Sequence, residues 1–586
     1  MPGGLLNLIA YGNQNIILNG NPSKTFFKTT YAKYTNFGLQ KFRIDFSGQR
    51  TLRMTESSVF DFTIPRYGDL LMDTYCVVNL PNIWSPVMPP FVADDTDSIL
   101  NQWQPYEFKW IDDLGSQMIE HVRFTVGGVV IQEFSGQYLK NIVERDFSTT
   151  KKKLYYEMTG NVTELNDPAN AYGRNQQYPS AFYGGENSAP ATGMVGTVPY
   201  TSVYAANGSE PSIHARQIYI PLNIWFTLAA NMAFPLVSLQ YAELKIEITI
   251  RPVQELFTVN KIYYPNDPTI DYAMSGIPIQ PNFNETQYSF YRFLQSPPCV
   301  GIYSSDVYEN KRTNWNTDVH LLSTYAFLTE DEVRVFASKP QSYLIRQSYT
   351  TTYENVVGPK RIELSSLGMV CNWMWFFQRS DVKERNQWSN YTNWSYDHIP
   401  SPVITANEIT CSGLTLSTTK VYPPSVDLSA PEIMARQLWN TGPYSPLNTK
   451  HIMTNWGLLL DGKYREDTLA TGVLDYVEKY IRTSGAAPEG VYCYNFALHS
   501  DPFDFQPSGA MNMSKFSTIQ FEITTIQPTL NANVQFSAIC NSSGAIVATQ
   551  MPQTGIYTYQ FDMVLMEERY NILKIQNGMA GLEYAR

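Results

Sequence analysis

Apolar and polar residues alternate along several short segments of the chain, which is the pattern of a β-strand with one buried face. Residues 243–251 alternate without error and are followed by Pro252, which lacks the N–H that a sheet needs and therefore predicts the strand's end. Residues 122–131 alternate on both sides of Gly127-Gly128 and predict a β-hairpin. Further strands are predicted at 518–523, 534–538 and 557–565. Strands are thus expected in both halves of the chain.

Helical patterns are few and short. Ser135 is a suitable N-cap for one or two turns through Val143, and Pro431 suits the first position of a helix that would end at Leu438. The apolar run Trp373–Phe377 predicts a strand buried on both faces. The sequence therefore predicts an all-β fold with few short helices.

A stretch rich in Pro, Tyr and Asn divides the chain into two halves of similar size, and its lack of periodicity is typical of a connector. Each half contains a long polar segment, at about 160–212 and about 380–490, which we interpret as a loop insertion. The predicted organisation is an N-terminal arm at 1–30, a first β-domain at 31–252, a connector at 253–315, and a second β-domain with a C-terminal tail at 316–586.

Composition supports the β assignment and excludes several classes of protein. Only 16% of the 586 residues are charged, against about 25% in an ordinary soluble domain, while 14% are aromatic and suited to sheets. The net charge of −11 argues against a general nucleic-acid binder, because such proteins bind phosphates with Lys and Arg. The N-terminus lacks a secretory signal, and the most apolar run, 224–239, is too short to span a membrane.

The familiar arrangements of catalytic and metal-binding residues are missing from the sequence. Its cysteines are scattered, which favours buried free thiols in a reducing compartment over a disulfide framework or a zinc site. Its six histidines stand alone, without the close pairs that ligate metals. We therefore predict no catalytic residue, no metal and no cofactor. The six cysteines are Cys76, Cys299, Cys371, Cys411, Cys493 and Cys540.

Two features keep a carbohydrate-related alternative open. The acidic clusters Asp112-Asp113 and Glu330–Glu332 offer carboxylates of the kind that glycosidases use, although solvated turns are the preferred interpretation. The run Trp373–Phe377 offers aromatic rings for stacking on sugars, although a buried strand is the commoner explanation.

Seven Asn-X-Ser/Thr sequons are candidate glycosylation sites, but a chain with this much Asn, Ser and Thr is expected to contain about six by chance. Their number is therefore uninformative. The sequon asparagines are Asn161, Asn207, Asn284, Asn390, Asn393, Asn512 and Asn541.

Charge is distributed unevenly along the chain. Between Lys24 and Arg53 there are seven basic residues and one acid, Asp45. One interpretation is an edge strand protected from aggregation by its cations. The other is a surface that faces an anionic partner, such as lipid headgroups or an acidic subunit.

Several sequence blocks, taken in order, resemble one known family. They run from the N-terminus to the C-terminus: Gly3–Gly12, Gly20–Lys28, Tyr34–Phe37, Pro65–Leu70, Asn79–Pro81, Ile220–Phe226, Phe234–Leu236, Leu239–Tyr241, Tyr325–Leu328, Tyr343–Gln347, Gln506–Ser514 and Tyr570–Leu582. Together they resemble the major capsid proteins of nucleocytoplasmic large DNA viruses. The sequence departs from the family pattern at Thr329 and Glu332-Val333-Arg334, and residues 380–490 match it poorly.

The resemblance implies a double jelly roll, with two eight-stranded antiparallel β-sandwiches in one chain. It implies a structural protein, not an enzyme, that forms homotrimeric pseudo-hexameric capsomers in the outer shell of an icosahedral virion assembled in the cytoplasm of a eukaryotic host. The implied partners are other copies of the chain, minor capsid and penton proteins and an internal membrane, but not nucleic acid. The long loops would face outward and the basic arm inward, through Lys24, Lys28, Lys33, Lys41 and Arg43. The alternatives are a carbohydrate-active or carbohydrate-binding β-sandwich and a cellular scaffold.

Overall fold

The computed structural model describes residues 3–48, 51–88, 100, 103–181, 209–264, 277–298, 308–312, 315–396, 409–411, 414–416, 448–504, 506–531, 537–540, 546–550 and 556–584. Within these residues, sixteen strands build two units of eight. The first unit contains β1 Phe37–Asp45, β2 Ser58–Thr63, β3 Leu70–Leu80, β4 Ile119–Val126, β5 Val129–Phe134, β6 Arg216–Pro221, β7 Leu244–Ile250 and β8 Val319–Leu328. The second contains β9 Gln341–Tyr353, β10 Pro359–Glu363, β11 Met369–Arg379, β12 Met453–Leu460, β13 Lys463–Ala470, β14 Val491–Asn495, β15 Ile519–Thr525 and β16 Phe561–Gln576.

The two units have the same strand order. In the first, the sheets are β1-β8-β3-β6 and β2-β7-β4-β5, and every neighbouring pair is antiparallel. In the second, the sheets are β9-β16-β11-β14 and β10-β15-β12-β13, again antiparallel throughout. If the strands of each unit are numbered one to eight, both units have the orders 1-8-3-6 and 2-7-4-5. This is the jelly-roll order, so the predicted double jelly roll is confirmed.

The local patterns of the sequence account for these strands. β7 alternates between buried and less buried side chains, as its sequence predicts, and ends just before Arg251 and Pro252. The hairpin between β4 and β5 turns at Gly127 and Gly128, whose φ angles of 56° and 84° are the left-handed values that favour glycine. The strand predicted at 518–523 is observed as β15, whereas the one predicted at 557–565 begins only at Phe561. Most of 534–538 lies outside the described residues, and a short strand follows at Ser537–Cys540.

The predicted domain boundary at 315/316 is wrong. β8 lies beyond it, yet this strand fills the gap between β1 and β3 in the first jelly roll. Without its eighth strand the first roll would have two exposed strand edges in the middle of a sheet, which is why the first roll extends to Leu328. The connector predicted at 253–315 also contributes Phe257 and Phe293 to the first core.

The predicted loop insertion at 380–490 is too long. β12 and β13 lie inside it and form half of the second roll's β10-β15-β12-β13 sheet. Trp456 and Leu458 of β12 are fully buried in the second core. Within the segment predicted at 160–212, residues 182–208 lie outside the described part of the chain.

The remaining elements are short and lie mostly in the connections. The α-helices are α1 Gly4–Ile9, α2 Ile16–Asn19, α3 Leu114–Met118, α4 Gly136–Asp146, α5 Thr149–Thr159, α6 Thr163–Asn166, α7 Glu330–Ser338 and α8 Glu478–Arg482, and a π-helix, Val473–Val477, leads into α8. The 3₁₀ turns are Asn13–Asn15, Ala171–Gly173, Trp225–Thr227, Ala230–Met232, Leu236–Ser238, Val253–Glu255, Thr286–Tyr288, Phe290–Arg292, Val382–Arg385 and Met513–Lys515. Minor strands are Thr51–Leu52, Val87–Met88, Gln104–Pro105, Lys109–Trp110, Phe234–Pro235, Phe257–Asn260, Pro278–Ile279, Trp315–Asn316, Ile409–Cys411, Leu414–Leu416, Met511–Asn512, Ser537–Cys540, Ile546–Gln550 and Met579–Leu582.

The helix predicted after Ser135 is confirmed and is longer than expected. The backbone N–H of Tyr138 donates to the Ser135 side chain at 3.3 Å, and α4 then runs for 11 residues. The helix predicted at 431–438 lies outside the described residues.

Each roll buries the facing sides of its two sheets. In the second roll, Trp375 stacks on Trp456 across the sandwich with ring centroids 5.5 Å apart. Three cysteines, Cys76, Cys371 and Cys493, are buried free thiols as predicted, and burial raises the pKa of each, to about 12, 12 and 11. The side chains of the other three cysteines lie outside the described part of the chain.

Odd-numbered and even-numbered strands alternate in every sheet, so they run in opposite directions and the connections sort into two ends. Connections that leave odd strands define the long-loop end of each roll, and all of them except 354–358 span more than ten residues: 46–57, 81–118, 135–215 and 251–318 in the first roll, and 354–358, 380–452, 471–490 and 526–560 in the second. Connections that leave even strands define the short-loop end: 64–69, 127–128, 222–243, 364–368, 461–462 and 496–518.

Candidate functional site

The first functional surface of the chain is the contact between its two rolls, and α4 is the element that makes it. An added Cβ at Gly136 would collide with the carbonyl oxygens of Ser116 and Ile119, so the first turn of α4 fits against α3 only with glycine. α4 therefore packs closely against the first roll. It lies between the two rolls, and most of its residues are buried.

A buried ion network joins α4 to the second roll. The Arg145 guanidinium is fully buried, and its Nη2 lies 2.7 Å from Asp146 Oδ2 and 3.1 Å from Glu568 Oε1 on β16. Arg145 Nη1 donates to Asn372 Oδ1 on β11 at 3.0 Å. Tyr138 donates to the same Glu568 carboxylate at 2.7 Å. Side chains separated by more than 400 residues in sequence are therefore held in one network.

The network keeps its central carboxylate ionised. Burial alone would raise the pKa of Glu568. The charges of Arg145 and Arg346 and the hydrogen bonds from Tyr138 and Asn372 lower it by more, so the pKa lies below its usual value. Arg346 reaches the carboxylate at 3.5 Å from β9. Two arginines thus face a carboxylate that is almost completely buried.

A second buried cluster lies nearer the long-loop end and corrects a prediction. Asp113 was predicted to lie in a solvated turn, but it is buried and paired with Lys140 of α4 at 2.7 Å. Its carboxylate also accepts from Ser389 and from the amide of Asn161, both at 2.7 Å. Burial would lower the pKa of Lys140, and the Asp113 charge raises it instead. The carboxylate is occupied in holding the rolls together and is unavailable to a substrate.

The long-loop ends of the two rolls lie side by side. The amide of Asn386, in the second roll, donates to the carbonyls of Gln254 and Phe257, in the first, both at 2.8 Å. The indole of Trp388 donates to the Glu255 carbonyl at 3.0 Å. Because these contacts join 251–318 to 380–452, both rolls direct their long connections to the same side of the molecule.

The other carbohydrate-related candidates are removed by burial or by helix formation. Trp373 and Trp375 are completely buried in β11, so no sugar can stack on them. Glu330, Asp331 and Glu332 occupy the first turn of α7, where carboxylates favour the helix dipole, instead of the predicted turn. The described residues contain no group of His, Cys, Asp or Glu that could hold a metal ion.

The sequons differ in accessibility. Asn390 and Asn393 are buried, and their amide nitrogens donate to the carbonyls of Trp394 and Thr449, so a glycan there is incompatible with the fold. Asn161 is half-buried and bonded to Asp113. Asn284 and Asn512 are exposed, while Asn207 and Asn541 lie outside the described residues.

The basic residues of the N-terminal segment are exposed but not equivalent. Lys24, Lys28, Lys33 and Lys41 all lie at the surface. Arg43 is bidentate to Asp318, with distances of 3.0 and 2.6 Å, and also bonds Asp45 at 2.8 Å. Its charge is therefore balanced within the chain, so of these five residues the four lysines are the cations available to a partner.

The N-terminal arm carries an unusual number of exposed apolar side chains. Its short helices α1 and α2 bury no residue. The hydroxyl of Thr35 donates to Glu332 of α7 at 2.7 Å, at the point where the arm joins the first roll. Among the described residues, no helix is long and apolar enough to cross a bilayer. The exposed side chains are Leu5, Leu6, Leu8, Ile9, Tyr11, Ile16, Ile17, Leu18, Phe26, Phe27, Tyr31 and Tyr34.

One surface was missed by the sequence interpretation. The segment before β14 contains four apolar or aromatic side chains that are exposed by 47% to 90%, namely Tyr476, Val477, Tyr480 and Ile481. Their spacing of one, three and four residues is the pattern of a helix face, which was hidden inside the segment interpreted as a loop.

Comparison with known proteins covers nearly the whole chain. Residues 25–291 match the family model described as the major capsid protein N-terminus, and residues 332–581 match the large eukaryotic DNA virus major capsid protein. The break between the two matches contains β8, so the second match begins, as the second roll does, only after this strand.

Individual relatives agree with these matches. The chain is 26% identical to the major capsid protein of Phaeocystis pouchetii virus and 25% identical to that of Chrysochromulina ericina virus, with both partners covered over their full length. Among solved structures, PBCV-1 VP54 superimposes with a TM-score of 0.56 at 18% identity, over 96% of this chain and 100% of VP54. The Faustovirus major capsid protein gives 0.55 at 12% identity, over 94% and 93%.

Proposed function

Because the chain belongs to the major capsid proteins of large eukaryotic DNA viruses, we propose that three copies of it form a pseudo-hexameric capsomer that tiles the outer shell. The chain is a structural protein of the virion capsid and not an enzyme. The observation that carries the proposal is the repeated strand order, 1-8-3-6 and 2-7-4-5, in both rolls. Three copies would present six similar rolls around one axis, and six similar sides suit a hexagonal lattice.

The arrangement of the ends supports an orientation in the shell. Both rolls direct their long connections to one side, where insertions do not disturb the sheets. We propose that this side faces outward. Among the described sequons, Asn284 lies in a long-loop connection and is exposed, so it is the candidate for an outward glycan. Asn512 is exposed in a short-loop connection.

The trimer is expected to be visible directly in solution. Light scattering on the purified chain should give three times the 66.7 kDa mass of one chain, and class averages of negatively stained particles should have a hexagonal outline. A monomer over the micromolar concentration range would contradict the proposed capsomer. A stable dimer would contradict it equally, because two copies cannot supply six rolls.

We propose that the N-terminal arm lies beneath the shell, where it would meet minor capsid proteins, including those at the pentons, and the surface of an internal membrane. Its exposed apolar side chains would be buried by contact with a partner. An anionic surface would be attracted by its four exposed lysines, Lys24, Lys28, Lys33 and Lys41. Nucleic acid is not expected to be a partner, because the net charge of the chain is −11. Assembly would take place in the cytoplasm of the infected cell, where free thiols such as Cys76 stay reduced.

Deletion of residues 1–30 is expected to leave the trimer intact and to abolish incorporation into shells. The reason is that β1 begins only at Phe37, so no described strand is lost, whereas α1, α2 and most of the exposed apolar side chains of the arm are removed. Trimer mass and shell incorporation during co-expression with the other capsid proteins would measure the two effects separately. Loss of the trimer would show that the arm acts between copies of the chain instead of beneath the shell.

A further inference from the structure

The helix that follows strand five of the second roll has an exposed apolar face. Residues 471–482 are helical throughout, with the π-helix in the middle and α8 at the end. Tyr476, Val477, Tyr480 and Ile481 are exposed by 55%, 47%, 90% and 59%. These four residues, which we call the helix face, carry no charge and are close enough in space to form one patch. A contiguous apolar patch on a soluble chain indicates an interaction surface.

The first roll has an equivalent helix, α4, which packs against a neighbouring roll. α4 occupies the same place in its roll, because Phe134 and Ala470 are the last residues of the two fifth strands. Among the residues of α4 that contact the second roll, Arg145 pairs with Glu568, and Asn141 accepts from Tyr391 at 3.3 Å. Counted from the end of strand five, the residues of α4 that correspond to the helix face are Lys140, Asn141, Glu144 and Arg145.

The surface that receives α4 also has a counterpart. α4 lies on the outward side of the β9-β16-β11-β14 sheet, where it meets Glu568 of β16 and Asn372 of β11. The equivalent sheet in the first roll is β1-β8-β3-β6. In β1, Ile44 is buried in the core, so the odd-numbered residues of the strand point outward, and Phe37 and Leu39 among them are 53% and 54% exposed.

We propose that the helix face of one copy packs on the outward side of the β1-β8-β3-β6 sheet of the next copy, as α4 packs on the second roll within one chain. This inference rests on the proposed trimer and identifies its intersubunit contact. The partner of the helix face is a second copy of the chain, because the proposed contact repeats between copies the contact that α4 makes with the second roll within one chain. Each copy has one exposed helix face and one outward sheet side whose exposed apolar residues, Phe37 and Leu39, lie on β1, so the association is head to tail and can close into a ring.

One contact is charged and the other apolar because the first forms as the chain folds and the second forms only when folded copies associate. The ion network around Arg145 is enclosed as the chain folds. The helix face and Phe37 with Leu39 must first exist in water and are then buried, which favours apolar side chains without charges to desolvate. On the sheet, Lys41 lies two residues from Leu39 on the same side and could pack over a tyrosine ring.

The double substitution Tyr480→Asp with Ile481→Asp tests the contact. Both side chains are exposed, so the variant is expected to keep the circular dichroism spectrum and melting temperature of the folded chain while its trimer dissociates at least about 100-fold more readily. Leu154→Asp on α5 is the matched control, since Leu154 is a helical apolar residue that is 57% exposed but lies outside the helix face. It should remain a trimer like the wild type.

The outcomes separate this inference from the proposed function. A wild-type trimer together with a trimeric double variant overturns the contact but leaves the capsomer proposal standing, whereas a monomeric wild type overturns both. A photo-crosslinker at position 480 supplies the second measurement. Crosslinks to peptides containing 37–45 of another copy support the contact, and crosslinks to 471–482 of another copy contradict it, because they would mean a symmetric helix pair.

Discussion

Replacing Arg145 by methionine is expected to lower the free energy of unfolding by about 3–5 kcal/mol. The side chain is fully buried, and its loss leaves Asp146 without its 2.7 Å partner and Glu568 with only the more distant Arg346. A buried carboxylate that loses its cation is costly because water cannot reach it, and Arg346, at 3.5 Å, compensates Glu568 only in part. Urea denaturation followed by tryptophan fluorescence would measure the loss.

The control for this prediction is Arg334→Met on α7. Arg334 is 76% exposed and lies 3.8 and 4.0 Å from its carboxylate partners, so its removal should change stability by no more than about 0.5 kcal/mol. Adding Glu568→Gln to the Arg145 variant should recover part of the loss, since one stranded charge is then removed. Equal stability of the Arg145 and Arg334 variants would show that the buried network does not hold the rolls together.

The effect of Arg145→Met should also depend on pH. The pKa of Glu568 is held below its usual value in the folded chain, so its ion pairs contribute stability at neutral pH and lose it as the pH falls through that lowered pKa. The stability difference between wild type and variant should therefore be largest at neutral pH and shrink on acidification. A difference that grows on acidification would contradict the assigned charge of Glu568.

Replacing Trp456 by alanine is expected to cost about 3–5 kcal/mol. Trp456 is fully buried in the second core, stacks on Trp375, and meets Phe521 edge-on at 5.3 Å. Removal would leave a cavity between the two sheets that these neighbours cannot fill without moving their strands. The same denaturation experiment applies, and melting of the second roll before the first is the expected form of the transition.

This second prediction also tests the corrected boundary of the loop insertion. If residues 453–470 were part of a surface loop, the substitution would change stability by only a few tenths of a kcal/mol, as surface changes do. The control is Tyr464→Ala on the neighbouring β13, because Tyr464 is 48% exposed and its hydroxyl donates to Glu522 at 2.6 Å. A large loss for Tyr464 and a small one for Trp456 would reverse the assignment of faces in this sheet.

Local pattern was a good guide where one strand face was buried against its own sandwich. β7, β15 and the β4–β5 hairpin follow from alternation and glycine placement, because these signals depend only on neighbouring residues. The same reasoning failed for β12 and β13. β13 is exposed on both faces along most of its length and lies at a sheet edge, so its sequence lacks the apolar alternation that predicts a strand.

The functional surfaces were harder to predict than the fold. The acidic pair Asp112-Asp113 has the composition of a turn, and Asp113 does lie in one, with a φ of 53°, yet its carboxylate is buried and paired with Lys140. Asn390 and Asn393 have the sequon pattern but lie in the interior. For Asp113 and Asn393 the bonding partners, Ser389 and Thr449, lie on distant segments of the chain, which no local sequence pattern identifies.

By itself, the sequence determined the all-β class and the double jelly roll, because alternation and family blocks are carried by residues close together in the chain. Only the tertiary structure decided that β8 completes the first roll, that Arg145 meets Glu568, and which helix face stays exposed. These are contacts between segments hundreds of residues apart. Their free energy depends on burial and pairing in three dimensions, which the order of residues along the chain does not display.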